Sequence, residues 1–150
     1  MTSGIPKTMQ AFVTQQGKTA QVQEIPVPEI DDNEVLVKTV AVAQNPTDWK
    51  CTSTIYVFAN YPWLSDASVV ITRLSGPGKI SGCDWSGYVV KIGKRVTTLN
   101  VGDHIAGFVQ GGTYEDRGAF AEYVKTSWDL AWKIPEGILT DEQAATMGCS

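Results

Sequence analysis

Five glycines, at positions 82, 87, 93, 102 and 107, mark the ends of two apolar runs, and this spacing constrains the fold more than any other part of the chain. Residues 88–92 read as a strand. A glycine turn, a polar loop and a second turn at Gly102-Asp103 follow, and then another strand. Glycine is the residue that tight turns and close backbone approaches require, because it has no Cβ to collide. The stretch therefore specifies strands joined by short, glycine-turned connections.

The rest of the chain repeats this idiom. Residues 9–13 and 19–25 predict an opening hairpin around Gln16-Gly17-Lys18, stopped by Pro26 and Pro28, which cannot donate to a ladder. Residues 34–42 form the strongest strand candidate, β-branched and partly alternating. The strand breaks at Gln44-Asn45, with Pro46 opening a short helix capped by Asn45. Residues 119–124 and 131–134 read as two further short strands. Thr140 and Gln143 have capping-box spacing, so a helix is expected from Asp141 that carries Ala144, Ala145 and Met147.

Composition narrows the function. With 150 residues, 43% hydrophobic and 19% charged, the chain suits one globular domain. A net charge of −4 without a basic stripe excludes a nucleic-acid binder. The N-terminus shows no apolar leader, and no run approaches the roughly 20 apolar residues that span a bilayer. Three cysteines, Cys51, Cys83 and Cys149, have no pairable spacing and suit a reducing, cytoplasmic setting.

The glycine pattern of 82–108 resembles the GroES-like domain of medium-chain dehydrogenase/reductases. The segments Ala43-Gln-Asn-Pro-Thr-Asp-Trp-Lys50, Gly82-Cys-Asp-Trp-Ser-Gly87 and Arg117-Gly-Ala-Phe-Ala-Glu-Tyr-Val124 resemble, within that superfamily, fungal trans-acting enoyl reductases of the ToxD-like kind. The implied fold is mainly β with short helices: a GroES-like, partly open β-barrel, truncated at the start of the helix that leads to a missing Rossmann domain. Residues 1–150 are then one catalytic domain, with 140–150 the start of a hinge helix. Residues 52–75, apolar and aromatic, are atypical for the family, being either an inserted hairpin or lid or a translated intron.

The resemblance implies reduction of an enoyl thioester by NADPH, with a polyketide synthase as a partner that presents a carrier-bound acyl chain, or else a free small-molecule substrate. Carried over residue by residue, it assigns cofactor binding to Pro46, Thr47, Asp48, Trp49 and Lys50, and catalytic roles to Lys50 and Thr146. Asp84 and Trp85 fall at the strand beneath the cleft, with Asp84 satisfying backbone donors, and 108–118 reads as a loop at the cleft mouth. Zinc-dependent members carry a cysteine before the Thr-Asp turn and Gly-His-Glu at the strand. Here Asn45-Pro46 and Gly82-Cys83-Asp84 stand in those places, so no metal is expected. No glycine-rich dinucleotide turn follows a strand, so this stretch alone is expected to bind NADPH poorly and to be inactive. A quinone or alkenal reductase of the same superfamily and a non-enzymatic GroES-like module are the alternatives.

Overall fold

A computed structural model describes residues 4–17, 19–48 and 76–148. The segments 52–75, Trp49, Lys50, Cys51 and Cys149 lie outside the described residues, and so do the expectations placed on them. Among the described residues the chain forms β1 (Thr8–Gln15), β2 (Thr19–Pro26), β3 (Glu34–Ala43), β4 (Asp84–Ile92), β5 (His104–Phe108), β6 (Tyr123–Ser127), β7 (Ala131–Lys133) and a short helix α1 (Asp141–Ala145). A single 3-10 turn, Trp128–Leu130, joins β6 to β7.

All strand pairs are antiparallel. β1 and β2 make a two-stranded sheet, and the other five strands run in the order β6-β3-β4-β5-β7. Single bridges, Ala11 to Ala121 and Val13 to Ile80, tie β1 to the larger body. The sheets stay open rather than closing into a barrel, as a partly open arrangement requires.

The hydrophobic pattern explains which strands sit inside. The first half of β3 is buried on both faces, because Val35 and Val37 enter the main core while Leu36 fills the opposite side. Trp85, Val89, Ile105 and Val124 complete that core. A smaller cluster of Met9, Ala11, Val13 and Ile80 seals β1 against the loop before β4. β2 buries nothing fully, which suits an outer strand.

Two expected boundaries moved, and one expected cap is absent. The strand placed at 119–124 begins only at Tyr123, because Phe120 is engaged elsewhere: its carbonyl accepts the Phe12 N–H (2.8 Å). One segment thus serves two sheets in turn, first β1 and then β3. The helix begins at Asp141 with both halves of the capping box in place, but it ends at Ala145. There Thr146 N–H bonds Gln143 O (3.2 Å) and Met147 N–H bonds Ala144 O (3.1 Å), the i→i+3 pattern that closes a last turn. Met147 lies past the helix and is exposed. Asn45 does not cap the helical turn at 46–48, because its side chain has another partner, described below.

Candidate active site

β3 and β4 run antiparallel with Ala43 opposite Asp84, so the exit of one strand and the entry of the other meet. Beyond Ala43 the chain passes through Gln44 and Asn45 into a helical turn at 46–48. That turn is locked by one main-chain bond and one side-chain bond: Asp48 N–H donates to Asn45 O (3.0 Å), and Asn45 N–H donates to Asp48 Oδ2 (2.7 Å). The Asn45 side-chain amide reaches across and donates to Asp84 Oδ2. Asp84 therefore takes a side-chain amide rather than the backbone donors expected for it.

The two carboxyls are enclosed. Asp84 is 1% exposed and Asp48 8%. The Oδ1 atom of each is buried with no conventional hydrogen-bond partner among the described residues. Burial pushes the Asp48 carboxyl above its ordinary range, and the neighbouring Asp84 charge adds to this. The Asn45 N–H and a weak bond with the Cys83 thiol act in the opposite direction. Cys83 is a free, buried thiol, which burial pushes up to about 12. Its Sγ lies 3.9 Å from Thr47 Oγ1.

Glycine shapes both flanks. Gly82 has φ +90°, a left-handed conformation, and the Phe120 ring occupies the space a Cβ would need. At the far flank Gly148 packs on Asp84 so closely that a Cβ would collide with Oδ1. A cavity of about 330 Å³ opens beside this floor, lined by Gln44, Asn45, Asp48 and Ser81 with the Phe12 and Phe120 rings as walls. Ser81 Oγ donates to Asp48 O (3.4 Å), which ties the cavity wall to the helical turn.

Of the residues singled out from sequence, Asp48 and Asn45 line the cavity, and Thr47 faces Cys83. Pro46 and Thr47 are exposed at the turn. Thr146 sits at the end of α1, where its hydroxyl donates to Gln143 O (2.8 Å). Trp49 and Lys50 lie outside the described residues. Tyr114 lies under the Arg117 guanidinium, 5.0 Å from its ring centre, and Arg117 pairs with Glu34 (2.9 Å). The 108–118 loop is anchored by that pair.

A second polar cluster went unseen in the sequence. Asp141 Oδ1 bonds His104 Nε2 (2.7 Å), and Ser86 Oγ donates to Asp141 Oδ1 and to Asp141 O (both 3.0 Å). Tyr88 stacks on the His104 ring with centroids 4.5 Å apart. These bonds pin the start of α1 to β4 and β5, while Gly148 rests on Asp84 beyond its other end. His104 thus belongs to the helix anchor rather than to the cavity. Among the described residues no group of three or more His, Cys, Asp and Glu side chains is arranged to hold a metal ion. No helix among them is long and apolar enough to cross a membrane.

The sequence model of the alcohol dehydrogenase GroES-like domain matches residues 31–136. Trans-enoyl reductase resD of Aspergillus sclerotiorum is 40% identical over 144 residues, covering 93% of this chain and 35% of its own length. Trans-enoyl reductase TOXD of Cochliobolus carbonum is 37% identical over 142 residues, covering 92% of this chain and 41% of its own. Among solved structures, the quinone oxidoreductase from Coxiella burnetii superposes with a TM-score of 0.70 at 29% identity, over 95% of this chain and 41% of that one. The chain thus spans between 35% and 41% of the length of these proteins.

Proposed function

Because the chain belongs to the alcohol dehydrogenase GroES-like domain family, we propose that it is the substrate-side domain of a nicotinamide-dependent reductase acting on enoyl thioesters. The observation that carries this reading is the 40% identity to a trans-enoyl reductase, which runs through 93% of the chain.

The family name raises the question of zinc. The residues at the cleft floor do not fit it. Asp84 Oδ2 is committed to the Asn45 amide, and among the described residues no group of three or more His, Cys, Asp and Glu side chains is arranged to hold an ion. No step is routed through a metal.

The residues present do suit a flat ring that bears a carboxamide. The cavity offers aromatic faces from Phe12 and Phe120, amides from Gln44 and Asn45, and a hydroxyl from Ser81. In this reading Pro46, Thr47, Asp48, Trp49 and Lys50 bind the nicotinamide cofactor. When bound, NADPH supplies the hydride that reduces the β-carbon of the enoyl thioester. The chain's own task is to orient the substrate and stabilise the charge that develops on the thioester oxygen. We assign that to Lys50 and Thr146. The acyl chain would arrive on the carrier of a polyketide synthase.

The likeness to a solved quinone oxidoreductase at 29% identity supports a second reading, reduction of a free quinone by the same hydride chemistry. A chimera distinguishes the two. The matching part of resD is replaced by this chain, and NADPH consumption is followed with an enoyl pantetheine thioester and with a soluble quinone. Turnover on the thioester alone is expected. Turnover on the quinone alone would transfer the assignment to the second reading, and a chimera inactive with both would remove the reductase reading.

A further inference from the structure

We propose that Asn45 is a positioning residue whose two amide groups hold two buried carboxylic groups and so fix the helical turn at 46–48 to the head of β4. The bonds themselves stand on geometry. Their link to catalysis rests on the reductase reading above.

Asn45 stands at the junction of three pieces of chain. Its main-chain N–H donates to Asp48 Oδ2 (2.7 Å) and its side-chain amide to Asp84 Oδ2. Asp84 opens β4, faces Ala43 across the ladder and carries Gly148 against its other oxygen. Both carboxyls are buried, and the remaining oxygen of each is without a conventional partner among the described residues. A buried acceptor that has few bonds depends heavily on each one, because losing it exposes the full desolvation cost. Asn45 therefore supports more than its size suggests. It holds Asp48, the turn that presents Thr47, and the Asp84 floor on which the tail of α1 rests.

The residue type is specific. Alanine at 45 would keep the main-chain bond but leave Asp84 enclosed without its amide. Aspartate at 45 would set a third carboxylate between two others, and like charges in an enclosed space repel. What the pair needs is one amide and one carboxylate, and that need is symmetric. Exchanging the two residues should restore it.

The test uses the 150-residue protein with Asn45→Ala, Asn45→Asp, Asp84→Asn and the reciprocal double variant Asn45→Asp/Asp84→Asn. Each single change is expected to lower the thermal midpoint at pH 7 by roughly 5 °C or more. The reciprocal double variant should recover at least half of the loss caused by Asn45→Asp. Harmless single variants, or a double variant no better than the sum of its parts, would overturn the proposal.

The positioning role is read in the resD chimera, well below every midpoint. Asn45→Ala should reduce kcat/KM for the enoyl thioester about tenfold or more, and the reciprocal pair should restore most of it. Lowered midpoints with unchanged kcat/KM would overturn the positioning role. An inactive parent chimera would overturn the reductase reading and the catalytic half of this proposal with it, while the midpoints still decide the bonds.

Discussion

A carboxylic acid enclosed beside a second acid, with one strong N–H to lean on, holds its proton to higher pH than it would in water. Asp48 is in that position. Its native carboxyl is raised above the unfolded value by burial, so the folded form binds the proton more tightly. Stability from this group is therefore complete below the unfolded value, near 3.8, and is lost as pH rises through the raised native one. Asp48→Asn, neutral at every pH, removes that dependence. The variant should gain stability relative to the parent as pH climbs from about 4 to 7, measured by urea unfolding at several pH values. A gap that does not change with pH would show that Asp48 ionises freely in the folded protein. The residue types at this site were legible: a Thr-Asp turn after a strand, and an acid at the next strand's head. The contact between Asn45 and Asp84 was not, because the partners are 39 residues apart and no local spacing couples them.

Among the elements, α1 shows what a sequence can and cannot specify. Its start was readable, since Thr140 and Gln143 exchange bonds over three residues: Gln143 N–H to Thr140 Oγ1 (3.3 Å) and Thr140 N–H to Gln143 Oε1 (3.0 Å). Its end was not readable, because the floor of the site decides where the chain must flatten against Asp84. Gly148 is the residue that allows this. Gly148→Ala should cost about 1–3 kcal/mol by chemical denaturation, since the new methyl must displace buried Asp84 rather than a flexible tip. Gly76→Ala is the matched control, as nothing lies within 4 Å of where its Cβ would stand, and it should leave stability nearly unchanged. The misplaced start of β6 has a similar origin. Residues 119–124 are apolar enough for a strand, but their first half is drawn to β1 by bonds that only the assembled molecule supplies.

Across the whole molecule, a buried ionic cluster joins parts that the core alone would leave loose. Lys125 Nζ, on β6, bonds Asp116 Oδ2 (2.5 Å) and Glu29 O (3.1 Å) and lies 3.7 Å from Glu34 Oε2. Arg117 holds the other Glu34 oxygen (2.9 Å). Strand β3, strand β6 and the 108–118 loop are thereby tied together. The Lys125 and Glu34 side chains are each only 8% exposed, so removing Lys125 leaves Glu34 in a poorly hydrated place with Arg117 as its remaining cation. Lys125→Met should destabilise the protein by about 1–3 kcal/mol in urea unfolding, although methionine fills much of the same volume. None of this was visible beforehand, because a lysine inside a strand pattern reads as a solvent-facing residue. The run of short strands separated by glycine turns followed from the spacing of glycines and β-branched runs, since those signals are local, whereas the partly open form came from the family resemblance alone.

The five residues of α1 could not hold a helical shape alone in water, where the first turn costs more than so few bonds return. Its order is borrowed from Ser86 and His104, which grip Asp141 from β4 and β5. The helix has no melting behaviour of its own, and whatever loosens those two strands dissolves it in the same event.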